Sequence, residues 1–562
     1  MSTDRFNYCP ICGMRVSSDF DFCPECGFAF QAEEEDLSID LEGILLTDCS
    51  ILSQKYQCSQ NVINKGVKTI MEEALTHGMK WYLLDMGTVS TGGLSWEEIN
   101  DSVSEFIETK DLSPGPDLNL LILGGDDVIP IPGIEDPFPY GEGVIPSDMC
   151  YAFYGTYLQD CIDNGICDIN IDNTRNVVSR IPLEEGYVET SFEEDFVAYF
   201  RRCNENSRGI PVSGAVMTSF SDWIPASLTM TQHLPLIWRD EDPELVCNRM
   251  YISPKLLTSD EESINIYKNS LGKADLLIFN LHGCDDPEYS GFYSIDEAFS
   301  PDLLPFTQAR VFNTVACFGA RYTGYERYES MLMRSLFASQ VLLYTGSMVS
   351  VPMYSDIRGN DEARELLLNP GTGSEVFMRL YTLYQYKGLP AGRALLKAKC
   401  DYFNMCRHVE SDSFSLSTIL MFSLYGNPML HFQEREDVIR AALSNGAIPA
   451  ETVKSKSRTF HRKFAKTLYL KGGNLDNSLL DRVQRAVDAN LSSIQRSIQS
   501  SLYDRLGLSS SMLEEISSFE ERSVAGAFGY TFRYRKPDTR FAADSWIEVD
   551  RGGEIKRIYT TK

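Results

Sequence analysis

The chain has 562 residues and carries 80 Asp plus Glu against 51 Lys plus Arg, a formal net charge of −29. A length beyond the roughly 250–300 residues of one core implies several domains, and a hydrophobic content of 43% excludes a mainly disordered chain. So acidic a surface argues against nucleic acid and anionic membranes as partners. No apolar run of about 18 residues predicts a membrane span, and the opening MSTDRFNYCPICG lacks the basic and apolar regions of a secretory signal. The 15 cysteines are an odd number, and outside one cluster they sit mostly in apolar contexts. They fit a reducing, cytoplasmic setting better than a disulfide framework.

Residues 1–30 form a compact cysteine module. Cys9-Pro-Ile-Cys12-Gly and Cys23-Pro-Glu-Cys26-Gly are two CxxC knuckles. Each puts two thiolates on one metal, and the glycine that follows permits the tight turn. Four thiolates at this spacing suit tetrahedral Zn²⁺ in a structural zinc ribbon, with rubredoxin-type iron as the alternative. Four protein ligands leave no open position, so the module points to docking of a protein partner rather than to catalysis. Residues 31–42, QAEEEDLSIDLE, read as an acidic linker.

From 43 to 435 apolar strands alternate with helical stretches, the pattern of an α/β domain with a mostly parallel sheet, divided into subdomains at 43–185 and 186–435. Strands are expected at Trp81–Met86, Leu118–Leu123, Gly214–Phe220, Asp275–Leu281, Val311–Ala316 and Gln340–Thr345. Several are apolar without alternation, as strands buried on both faces are. Helices are expected at Asn61–His77, at Trp96–Thr109 and within Asn360–Asn404. Residues 436–562 differ. Lys454 to Lys471 is basic with no acid, and is read as a solvated helix face or linker, or else a self-cleavage or inhibitory segment. Leu480, Val483, Val487, Leu491, Ile494, Ile498 and Leu502 form one stripe of a long amphipathic helix, a second candidate surface for a protein partner. A small β region follows from Ser523, with a tight turn at Asp550–Gly553.

Two strand ends carry the candidate chemistry. The apolar run from Asp275 stops at His282-Gly283, and the run from Val311 stops at Cys317. The carboxyl ends of neighbouring parallel strands converge on one crevice, so His282 and Cys317 are expected to meet. An imidazolium lowers the pKa of a neighbouring thiol, and the imidazole can later protonate a leaving amine. The Gly283 and Cys317 N–H groups are expected to form an oxyanion hole. Cys284 is the competing nucleophile, but it lies in a polar loop and ends no strand. The plain alternative is a buried structural Cys and a satisfied His.

The order strand-His-Gly, then strand-Cys, resembles that of caspase-like cysteine peptidases, and within them the gingipain family. Leu120-Leu-Ile-Leu-Gly-Gly-Asp-Asp-Val-Ile-Pro130, Pro146-Ser-Asp148-Met-Cys-Tyr151, Ser179-Arg-Ile-Pro182 and Leu424-Tyr-Gly-Asn-Pro428-Met-Leu are similar, in order, to four further family segments. The likeness covers about 80 to 435. It departs where Leu281 replaces a family glycine and Asn427 a family aspartate, and gingipains are secreted whereas this chain reads as cytoplasmic. The resemblance implies a caspase-like fold and a cysteine endopeptidase making limited cuts, with His282 and Cys317 as the dyad. By the same resemblance Asp148 faces a P1 Arg or Lys, and Thr345, Gly346 and Ser347 line the substrate groove. A third catalytic acid is not placed; Asp126, Asp127 and Glu135 are near only in pattern. The competing functions are a non-catalytic caspase-like scaffold that binds partners through the zinc ribbon, and an acyl-transfer enzyme acting on small substrates.

Overall fold

The computed structural model describes residues 41–434 apart from short intervals and two longer breaks at 235–260 and 357–372. It also describes the strands Phe6–Tyr8 and Arg15–Ser17 and four strands between 516 and 561. Nine strands build the central sheet: β1 (Leu41–Thr47), β2 (Met79–Asp85), β3 (Asn119–Leu123), β4 (Val177–Ile181), β5 (Ala215–Ser219), β6 (Leu276–Asn280), β7 (Val311–Thr314), β8 (Leu343–Ser347) and β9 (Phe422–Gly426). Their spatial order is 2-1-3-4-9-8-7-6-5. All neighbours run parallel except β8 and β9, which pair antiparallel from Leu343↔Gly426 to Ser347↔Phe422. The sheet is thus two parallel blocks joined at one antiparallel seam, and the carboxyl ends of the blocks lie at opposite edges. The expected mostly parallel α/β sheet is found, and every residue of β3, β5, β6 and β8 is buried. β1 begins inside the stretch read as an acidic linker, because Leu41 and Glu42 open a strand whose next five residues are buried.

Helices cover the sheet where the apolar periodicity puts them. Gln60–Leu75 buries Ile63, Gly66, Val67, Ile70 and Ala74, one stripe at helical spacing. Trp96–Thr109 starts at a capping box, in which the Ser95 hydroxyl accepts from Glu98 N–H and the Glu98 carboxylate accepts from Ser95 N–H. Ser374–Tyr386 and Ala391–Cys406 lie in the stretch expected to be helical. Asn427 Oδ1 accepts from Met429 N–H at 3.0 Å and closes the turn after β9. Among the described residues no helix is long and apolar enough to cross a membrane.

A second, antiparallel sheet orders Pro352–Asp356, Ile555–Thr561, Ala542–Val549, Ala527–Arg535 and Ile516–Val524. The expected turn residues Asp550–Gly553 lie outside the described residues, between two strands that do pair antiparallel. The basic stretch at 454–471 and the amphipathic stripe from Leu480 to Leu502 also lie outside. So do Cys9, Cys12, Cys23 and Cys26, although Phe6–Tyr8 pairs antiparallel with Arg15–Ser17 on either side of the first knuckle.

Candidate active site

The register of the second block brings the two strand ends together. Phe279 in β6 is the Cα partner of Thr314 in β7, and each chain then runs three residues further, to His282 and to Cys317. Past β6 the backbone folds into a small three-stranded sheet. In it His282 pairs with Tyr293, Gly283 pairs with Phe292, and Phe292–Tyr293 pairs in turn with Glu297–Phe299. This sheet is pinned by rings. Phe279 packs on Phe292 at 5.1 Å, on Phe299 at 4.6 Å and on Phe312 at 4.7 Å, and Phe312 stacks on Tyr344 at 4.5 Å. An aromatic cluster over β6, β7 and β8 therefore fixes where the half-buried His282 stands.

Gly283 lies directly against the Cys317 backbone. A Cβ on Gly283 would overlap the Cys317 carbonyl oxygen and stand 2.8 Å from its carbonyl carbon. Only glycine fits here, because the approach of one backbone to the other leaves no room for a side chain. On the other side Val351 N–H donates to Cys317 Sγ at 3.2 Å, Ser350 Oγ lies 3.6 Å from the same sulfur, and Val351 carbonyl oxygen lies at 3.9 Å. Phe318, the next residue, has φ of 53°, a left-handed conformation uncommon outside glycine. Phe318 N–H donates to Val349 carbonyl and Ala320 N–H to Ser347 carbonyl, so the turn is held from both sides. Backbone held in this way is characteristic of sites where geometry is imposed.

Cys284 differs from Cys317. Burial pushes its thiol up, and the charges of Asp285 and Asp286 act in the same direction. Hydrogen bonds from the Asp286 and Asp285 backbone oppose this rise, and what separates the two cysteines is position: Cys284 ends no strand of the central sheet.

Several residues singled out in the sequence stand elsewhere. The Asp148 carboxylate accepts from Arg180 Nε at 2.8 Å and Nη2 at 2.6 Å, a bidentate fork. Arg180 is fully buried and also donates to the carbonyls of Gly124, Gly125 and Ile129. Asp148 thus closes an internal ion pair over the first block, and its charge is spent inside the chain. Lys399 adds little to this fork. Its Nζ contacts Met149 Sδ, and burial pushes its pKa down to about 7. Asp127 pairs with Lys55 at 2.5 Å, Asp126 accepts from Ile131 N–H, and Glu135 is exposed in a short hairpin.

Thr345, Gly346 and Ser347 are buried inside β8, which has neighbours on both edges. Thr345 Oγ1 is bonded to Tyr381, and Ser347 carbonyl is taken by Ala320. Their backbones are therefore already paired in the resting chain. The groups that reach the sulfur come three and four residues later, at Ser350 and Val351. The sequence carries no marker for them, because they belong to no apolar run.

A recess opens beside Cys317, lined by Gly283, Cys284, Gly291, Phe292, Phe318, Arg321, Tyr325 and Met331. The loop bearing Arg321 and Tyr325 is anchored to the first block. Arg327 pairs with Asp195 at 2.6 Å and Glu184 at 3.0 Å, and Tyr56 also donates to Asp195.

Fold and site together define an α/β protein in which a His-Gly strand end is packed on a Cys strand end beside a lined recess. No family model and no curated relative matches the chain. A solved structure described as "Structure of Protease" superposes with a TM-score of 0.43 at 10% identity, over 70% of this chain and 79% of that one.

Proposed function

We propose that this chain is a cytoplasmic cysteine endopeptidase with a caspase-like core, using Cys317 as nucleophile and His282 as base and acid. The observation that carries this reading is the seating of Gly283, the residue after His282, on the Cys317 backbone, with a backbone donor already aimed at Sγ. In the reaction His282 takes the Sγ proton, and the sulfur attacks a peptide carbonyl carbon. The tetrahedral oxyanion takes the N–H groups of Gly283 and Cys317. Collapse breaks the C–N bond, and His282 returns the proton to the leaving amine. Water, deprotonated by His282, then hydrolyses the thioester and restores the thiol.

Cys317 is 2% exposed, with Ser350 and Val351 over its sulfur. That supports a latent enzyme in which the 350–351 segment must move before substrate enters. The next residues, Pro352–Asp356, pair with Ile555–Thr561, so the cover is continuous with the second sheet, which suits regulated, limited cutting. Selection of a P1 Arg or Lys by Asp148 is not part of the proposal, because Arg180 already holds that carboxylate. The same burial of Cys317 favours a second reading, a scaffold that binds partners and cuts nothing.

Purified full-length protein and Cys317→Ala are to be compared on a peptide library varied at P1, before and after limited proteolysis to displace the cover. Cutting is expected, with a loss of about 1000-fold or more in the variant. No cutting under either condition, with Cys317→Ala binding the same partners as the parent, rejects the peptidase for the scaffold.

Cys9, Cys12, Cys23 and Cys26 are proposed to hold one structural Zn²⁺ in a ribbon that docks a protein partner. Metal analysis of purified protein is expected to find stoichiometric zinc, lost on replacing Cys9 and Cys12 by Ser. Iron in place of zinc sinks the assignment.

A further inference from the structure

The recess beside Cys317 has a chemistry of its own. Among the described residues its lining includes one cationic side chain, Arg321, and no carboxylate. Arg321 stands over the Phe318 ring at 5.5 Å and the Tyr325 ring at 5.6 Å and makes no ion pair among the described residues. Tyr325 is 5% exposed, and its hydroxyl has no hydrogen-bond partner among the described residues. A buried donor left unpaired is costly, so its retention calls for an explanation. Met331, also in the lining, is the first residue of the helix Met331–Ala338, whose amino end favours negative charge.

From these three features we infer that the recess is an anion subsite, in which Arg321 and the Tyr325 hydroxyl bind the side-chain carboxylate of the substrate residue whose carbonyl Cys317 attacks. The inference rests on the peptidase reading for its biological meaning and specifies the substrate as acidic at P1. The guanidinium is preset by stacking on two rings, and the hydroxyl supplies a second, neutral donor. Burial, with further upward pushes from Cys284, Asp285 and Asp286 that outlast the opposing charge of Arg321, raises Tyr325 well above the ordinary phenol range. The hydroxyl therefore keeps its proton and remains a donor. Asp285 and Asp286 weaken the local positive potential, but neither lines the recess. The site is then a small positive spot on a strongly acidic molecule, and long-range attraction contributes nothing to its selectivity.

The test separates the subsite from the catalysis. Cys317 in the full-length protein, before and after the limited proteolysis that displaces its cover, is alkylated with iodoacetate, which carries a carboxylate, or with iodoacetamide, which is neutral, and labelling is quantified on the Cys317 peptide by mass spectrometry. The ratio of the two rates is expected to fall about 10-fold or more in Arg321→Gln, to fall less in Tyr325→Phe, and to hold in Arg321→Lys. These variants are checked by their unfolding transitions. On peptides, Asp or Glu at P1 is expected to be cut best, with Arg321→Gln losing about 100-fold on those and markedly less on Gln and Asn peptides. A rate ratio indifferent to Arg321, labelling by neither reagent, or preferential cutting after Arg or Lys overturns the inference. An Arg321-dependent ratio without peptide cutting keeps the subsite and rejects the peptidase.

Discussion

Replacing Gly283 by Ala is expected to silence Cys317. The new methyl group would occupy the place of the Cys317 carbonyl oxygen, which is backbone and has no rotamer by which to yield. Either the His282-Gly283 strand lifts from its pairing with Phe292–Tyr293, or the turn at Phe318 gives way. A displacement of about 1 Å at a reacting group costs on the order of 100-fold in rate, and overpacking of this kind destabilises by about 1–3 kcal/mol or more. The measurement is the rate of peptide cutting, or of Cys317 alkylation in its absence, alongside the urea transition. Ala at 283 with parental rate and stability would falsify the backbone juxtaposition on which the dyad rests. Gly283 is thus required for the room it leaves, beside the oxyanion role proposed for its N–H.

The second large effect is expected at Asp148, and it is on stability. Asp148→Ala leaves Arg180 buried, with its carbonyl partners but without its counter-charge. Removing one partner of a buried pair costs about 3–5 kcal/mol, mostly the desolvation of the charge left behind. Lys399, whose pKa burial lowers to about 7, is itself a cation or a neutral amine and so cannot replace the lost carboxylate. The urea midpoint should fall sharply, and activity on all peptides should fall together with the folded fraction. A stable Asp148→Ala that loses only Arg and Lys peptides would instead make this carboxylate a specificity group. Asp148→Asn, which keeps the shape and loses the charge, should be nearly as damaging. The damage would then lie in charge rather than volume.

The parts of this architecture visible in the sequence are those written in local pattern. Unbroken apolar runs such as Leu120–Leu123 and Leu276–Phe279 announce strands covered on both faces, and the capping residues around Ser95 announce the helix that follows. The His282 and Cys317 strand ends were legible for the same reason, each being the point where an apolar run stops. What stayed hidden depends on pairing. Nothing local shows that β9 enters the sheet antiparallel to β8, so nothing shows that the two blocks open at opposite edges. Asp148 looked available because its partner, Arg180, is 32 residues away and the fork exists only after β4 is in place. Ser350 and Val351 reach the sulfur through the register of β7 with β8, which a single sequence does not encode visibly. Arg321 and Tyr325 were present in the sequence next to Cys317 as Arg-Tyr-Thr-Gly-Tyr, but their stacking and the unpaired hydroxyl are tertiary facts.

The pairing of Pro352–Asp356 with Ile555–Thr561 has a consequence for how the molecule is made. At the ribosome the first of these strands emerges roughly 200 residues ahead of its neighbour, and at about 5–20 residues per second the delay is on the order of 10–40 s. Through that interval the nascent chain carries an unpaired β-edge immediately after Val351, open to capture by any other extended segment. The neighbourhood of Cys317 is thus finished late, after the central sheet has been synthesised in full. The strand that follows Val351 gains its partner only when the last strand of the second sheet has been made.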